Sequence, residues 1–212
     1  AENSTDYPSG VTVNGALISD FNGGKGLEFA NVDDSAVFPI SRKVIGARCN
    51  LYSLDVLING NAKAGTYLDL KLLENNTNKR SVTAFRIEVC DGYAVIESAP
   101  DGSVIEVFDN AKIDLGKNVN LTFEYFERDQ ITLIYVNGKL CAASEELSAY
   151  GKQYIPGLFE ISLGGNADTI TVDNVKAEKN GRKVADALKP DGDSTVHDFN
   201  SPDSELVISG TA

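Results

Sequence analysis

The sequence has no tryptophan and one histidine, His197. A single imidazole leaves little material for a histidine-rich metal centre or a Ser-His-Asp triad, and without Trp any aromatic platform must come from Tyr and Phe. Cysteine is scarce: Cys49, Cys90 and Cys141, with no pair at the short spacing of a zinc knuckle or a redox CxxC site. Each lies in or beside a strand-like run, which predicts buried, unreactive thiols; one disulfide with a spare thiol is the alternative. Basic residues are outnumbered, 19 against 31 acidic, for a formal net charge of -12. That balance argues against nucleic acid as a partner and disfavours anionic membrane surfaces. Its simplest role is to keep an exported protein soluble. No window approaches the roughly 18 consecutive apolar residues of a membrane span, so no membrane insertion is expected, and no EF-hand loop occurs.

The 212 residues, 42% of them hydrophobic, suffice for one sizeable core, and all-β sandwiches reach this length as a single domain. Organisation centres on residues 118–143, where two apolar alternating runs flank the polar tetrapeptide Glu127-Arg128-Asp129-Gln130. Leu121, Phe123 and Tyr125 fall on one face of a pleated strand and Thr122, Glu124 and Phe126 on the other. Residues 131–136 are largely apolar on both faces, the mark of a strand covered on both sides in a two-layer structure. The chain turns at Asn137-Gly138, which tolerates the positive φ of a tight hairpin, and returns as Lys139-Leu140-Cys141.

Around this hairpin, short alternating runs are separated by turn residues. They fall at 11–13, 16–21, 27–29 and 36–38, with turns at Asn14-Gly15 and 22–26, then in a long run at 44–57. Residues 66–73 direct Leu68, Leu70 and Leu72 to the core and Tyr67, Asp69 and Lys71 away from it. Residues 74–80, ENNTNKR, are a loop by composition. Residues 81–90 alternate Phe85, Ile87 and Val89 with Arg86 and Glu88, turn at Asp91-Gly92, and lead through 93–97 to 104–108. Residues 144–150 are the one stretch read as helical, with Glu145 and Glu146 near its start; 158–163 and 169–176 complete the strands.

Three segments result: a polar start at 1–10, a sandwich over 11–179, and a linker-like stretch at 180–212 whose terminal strands dock on the sandwich. Within the last, Val196-His197-Asp198-Phe199-Asn200 echoes Ser19-Asp20-Phe21-Asn22, the alternative sign of a second repeat. The opening AENSTDYPSG lacks an initiator Met and reads as a mature chain after signal removal or as an excised piece, predicting an extracellular or cell-surface location. Glycosylation-type triplets begin at Asn3, Asn75 and Asn120, the last inside an expected strand.

Where LTFEYFERDQITLIYVNGKLCAA is followed by LFEISLGG and TITVDNVKAEK, the chain resembles the laminin-G-like and concanavalin A-like jelly rolls, through Val136-Asn137-Gly138-Lys139 and Asp173-Asn174-Val175. The likeness covers residues 44–179. The opening ALISDFNGG with the ending TITVDNV is also similar to the galactose-binding-like carbohydrate modules, which begin and end in adjacent strands and often hold a structural calcium there. Both resemblances imply an all-β, two-sheet antiparallel jelly-roll β-sandwich with sugar recognition on a sheet face or at loop tips. Fold analogy alone does not establish function.

Tyr67, Asp69 and Lys71 on one strand, with Arg86 and Glu88 on its expected neighbour, form the candidate ligand-binding face: an aromatic platform beside groups able to bond hydroxyls. The alternative is a solvated outer face with cross-strand ion pairs, Lys71 with Glu88 or Asp69 with Arg86. Trp, the usual sugar-stacking surface of the modules this chain resembles, is missing. Asp20, Asn22 and Asp173 are the candidate ligands of a structural Ca2+, brought together if the first and last strands pair; calcium takes about six to eight oxygens, so carbonyls and water would complete the shell. No catalytic residues are expected, because the acidic-apolar-acidic-apolar-acidic run of glucanases on this fold is absent. These features predict a non-catalytic, extracellular carbohydrate-binding or adhesive module of a bacterial surface or secreted protein, with a polysaccharide or glycan partner. The alternatives are a structural spacer or protein-interaction domain, and a glycoside hydrolase. Nothing in the sequence specifies the oligomeric state.

Overall fold

The computed structural model describes residues 10–40, 51–74, 81–99, 102–126, 131–145, 156–178, 184–188 and 207–209. Its strands are β1 (Thr12–Asn14), β2 (Leu17–Phe21), β3 (Gly24–Phe29), β4 (Ser35–Pro39), β5 (Leu51–Ile58), β6 (Thr66–Glu74), β7 (Ser81–Val89), β8 (Tyr93–Ser98), β9 (Glu106–Asp114), β10 (Asn118–Phe126), β11 (Ile131–Val136), β12 (Lys139–Ser144), β13 (Pro156–Gly165), β14 (Ile170–Glu178) and β15 (Val207–Ser209). Among the described residues they form a seven-stranded sheet, ordered β1-β4-β13-β6-β7-β8-β9, and an eight-stranded sheet, ordered β15-β12-β11-β10-β5-β14-β3-β2. All pairings are antiparallel except that of β12 with β15. The architecture is the expected two-sheet antiparallel β-sandwich.

Alternation is what builds it. On β5, Tyr52, Leu54, Val56 and Ile58 are buried while Leu51, Ser53, Asp55 and Leu57 are half-buried, the period of two that a strand packed on one face requires. Leu68, Leu70 and Leu72 of β6 face the same core. Aromatic rings join the layers: Phe85 of β7 stacks on Phe123 of β10 with centroids 4.6 Å apart, and Tyr52 of β5 lies 6.1 Å from Phe159 of β13. Offset contacts of this kind add to simple area burial.

The central hairpin pairs Leu121 with Val136 through Phe126 with Ile131; its tip, 127–130, lies outside the described residues. Both Leu133 and Ile134 are fully buried. Ile134 faces the inter-sheet core, whereas Leu133 joins Phe126 and Ala143 under α1 (Val184–Ala187) and the following Leu188. The doubly apolar character of β11 therefore has a cause on each face.

Several expectations need correction. Helix occurs within the stretch read as a linker, because Val184, Ala187 and Leu188 make an i, i+3, i+4 apolar stripe too short to register as a period. Ser144 is instead the last residue of β12, and 146–150 lie outside the described residues. The Asn14-Gly15 turn joins strands of different sheets: β1 pairs with β4 and β2 with β3, and Gly15 at φ 79° carries the chain from one sheet to the other. The hairpin turn falls at Asn22-Gly23, both at positive φ. The run at 104–108 begins as strand only at Glu106 and continues to Asp114, a bulge opposite Val95 and Ile96 absorbing the polar Asp109-Asn110. Cys90 and Cys141 are free thiols, Cys90 only partly buried. Cys49, His197, the echo at 196–200 and the triplets at Asn3 and Asn75 lie outside the described residues. Among those described, no helix is long and apolar enough to cross a membrane.

Candidate ligand-binding face

The outer face of the seven-stranded sheet brings together four of the five expected side chains. The β6–β7 register sets Tyr67 opposite Glu88 and Asp69 opposite Arg86. Arg86 grips Asp69 at two points, Nε to Oδ1 at 2.7 Å and Nη2 to Oδ2 at 3.2 Å. The planar guanidinium matches a carboxylate edge in this way. Far from being solvated, Asp69 and Arg86 are 8% and 9% exposed. Burial opposes the guanidinium charge, but the hydrogen bond and charge of Asp69 outweigh it and hold the Arg86 pKa above its ordinary value.

Tyr67 does not present an open platform. The Arg86 Cζ sits 3.7 Å from the centroid of its ring, a cation–π contact. The ring also lies against Gly164 of β13, where an added Cβ would meet Cε2 and Cζ at 2.4 Å. Lys71 departs from the expected pairing with Glu88. A bulge after Leu70 places it across from Thr83, and its Nζ turns to β13, 3.3 Å from Glu160 Oε1 and 2.9 Å from Ser162 Oγ.

Sequence reasoning missed Glu97. The Asp91-Gly92 turn fixes the β7–β8 register so that Glu97 opposes Arg86, and the parity of Tyr93, Val95 and Glu97 was enough to place it there. Its carboxyl is pushed up to about 7, chiefly by burial, then by the charge of Glu88 and a hydrogen bond with it, with Arg86 pulling the other way. Glu97 Oε2 is buried without a hydrogen-bond partner.

The expected calcium ligands are distributed differently. β3 stands between β2 and β14, because the Asn22-Gly23 turn folds β3 back along β2. Asp20 is committed to Lys25, Nζ to Oδ1 at 2.5 Å, and this ion pair lowers its pKa. Asp173 lies opposite Asp55. Among the described residues, no group of three or more His, Cys, Asp and Glu side chains is placed to hold a metal ion, and β3 separates the strand of Asp20 from that of Asp173.

No protein-family model matches the chain, and no curated protein matches it. Solved structures are similar in fold. One is the carbohydrate-binding module of family 66 from Bacillus subtilis: TM-score 0.52, 18% identity, 80% of this chain and 96% of that one covered. The botulinum neurotoxin serotype D binding domain gives 0.56 at 10% identity, over 79% of this chain and 42% of that one. Trypanosoma rangeli sialidase in complex with the inhibitor DANA gives 0.52 at 18% identity, over 78% and 26%. The chain thus spans nearly all of the first and less than half of the other two. At these identities the likeness establishes the fold alone, a two-sheet β-sandwich.

Proposed function

We propose that the protein is a non-catalytic glycan-binding module that works outside the cell or at its surface. The observation that carries this is its match in fold to almost the whole length of a carbohydrate-binding module. The non-catalytic part is supported by the sequence, which lacks the acidic-apolar-acidic-apolar-acidic run of glucanases on this fold. The net charge of -12 points to glycans rather than polyanions as partners. A glycan-array screen of the purified chain, with and without EDTA, tests the reading. Binding to a defined sugar is the expected result, and its loss in EDTA would reinstate calcium. A second reading, a spacer or protein-interaction domain, is favoured by the closure of Tyr67 beneath Arg86; absence of binding to every glycan in both conditions would make it the better one.

A further inference from the structure

We infer that the glycan site lies on the outer face of the eight-stranded sheet, in a strip formed by Tyr135, Asn120, Asp55, Asn174, Ser53 and Lys176, and that it takes a neutral, hydroxyl-rich oligosaccharide. This rests on the glycan-binding reading above and says where, and for what chemistry, the site is built. Register defines the strip. In one row Asn120 of β10, Asp55 of β5 and Asp173 of β14 lie side by side; in the next, Tyr135 of β11, Thr122, Ser53 and Lys176 do. Four strands at their usual spacing span about 14 Å, room for a short oligosaccharide.

The polar groups are fixed in advance. Asp55 accepts from Asn120 Nδ2 through Oδ1 and from Asn174 Nδ2 through Oδ2, both at 2.7 Å. The Asn120 Oδ1 accepts from Thr122 Oγ1 at 3.3 Å, and its backbone N–H donates to Asn137 Oδ1 at 2.9 Å. Each amide keeps a second N–H, so the carboxylate and its two amides form an ordered donor–acceptor edge suited to adjacent hydroxyls. Asn174 reaches its place because the β14 bulge between Asp173 and Lys176 turns it to φ 50°, the re-aiming of a side chain that bulges accomplish. The two short motifs behind the family resemblance, at 136–139 and 173–175, thus meet around Asp55.

Tyr135 supplies the apolar element. Its side chain packs against the buried cluster of Phe126, Leu133 and Ala143, and its hydroxyl donates to Glu124 Oε2 at 3.2 Å. An aromatic side chain anchored at one end of a polar strip is the mix that sugar recognition uses, apolar contact for ring C–H groups and bonds for hydroxyls. Two carboxylates against one lysine, Asp55 and Asp173 with Lys176, disfavour an anionic sugar. On the seven-stranded face, by contrast, the ring and the arginine are engaged with each other.

The test uses the intact chain and a panel of neutral glucan, mannan, galactan and xylan oligosaccharides. Asn174→Gly removes one clamp on Asp55 and keeps a residue at ease at positive φ; Lys176→Ala alters only an exposed position. Each should weaken binding about tenfold with the melting temperature unchanged, while Tyr67→Ala leaves affinity as it was. If the native chain binds and both strip variants bind equally well, or if Tyr67→Ala alone abolishes binding, the location is wrong and the glycan-binding reading stands. If the native chain binds no member of this panel, the neutral-oligosaccharide site falls, and the glycan-binding reading is decided by the array.

Discussion

Gly164 is glycine because Tyr67 occupies the space a side chain would take. Gly164→Ala should destabilise the fold by about 1–3 kcal/mol, the range for forcing atoms into a packed site. Measured by urea denaturation in a Tyr67→Ala background, the same change should cost far less; an equal cost in both would remove Tyr67 as the cause. Arg86 sets a second test. Arg86→Ala strands Asp69 as a buried charge and should cost about 3 kcal/mol, whereas a paired Asp69→Leu/Arg86→Met replacement should recover most of it. Glu97 supplies the pH dependence. Its carboxyl titrates near 7 in the fold against an ordinary 4.5, so the folded state holds the extra proton between those values and unfolding releases it. Stability is therefore full below about pH 4.5 on this account, falls as pH rises, and has lost this contribution above about 7. Because Glu88 shares the site, the value belongs to the pair. Glu97→Gln should flatten the fall in melting temperature from pH 5 to 8; an unchanged slope would discard the assignment. Of these residues, the sequence displayed the facing of Tyr67, Asp69 and Arg86 through parity alone. It could not display their closure, which depends on Gly164, 97 positions beyond Tyr67 in the chain.

At the level of elements, legibility followed the period. β5, β6, β7 and β10 each hide one face, so apolar residues recur at every second position, and β11, covered on both faces, shows as an apolar run. β9 was half visible, since a bulge interrupts its alternation at Asp109-Asn110. The four-residue α1 was invisible, as one turn has no period to detect. Its role is nonetheless large: with Leu188 it covers Leu133, which would otherwise be a wholly apolar side chain on an outer sheet face. Val184→Asp would place a charge against Phe126, Leu133 and Ala143, an unpaired burial that the helix avoids by undocking. Hydrogen exchange should then rise across residues 131–144 and remain unaltered in β6 and β7, which lie in the other sheet. Uniform loosening of both sheets would mean that α1 belongs to the main core and not to a satellite of it.

At the scale of the molecule, charge and surface chemistry point the same way. The chain carries 31 acidic and 19 basic residues, and its ion pairs at Asp69–Arg86 and Lys71–Glu160 tie cations of the seven-stranded face to anions beside them. A surface so arranged repels phosphate- or sulfate-bearing polymers at long range, and only short-range, directional bonds remain to hold a partner. Such bonds are weakly screened, because they act well inside the roughly 10 Å over which 0.1 M salt attenuates charge interactions. Affinity for a neutral oligosaccharide should therefore change less than about twofold between 50 and 500 mM NaCl, when measured by isothermal titration. A steep loss of affinity with salt would show that long-range charge attraction drives the binding, placing the partner among cationic polymers and removing the neutral glycan from the account. The two outcomes separate cleanly because the mechanisms differ in range: a hydroxyl bonded to Asp55, Asn120 and Asn174 is held at about 3 Å, whereas a polycation would be drawn by the whole net charge.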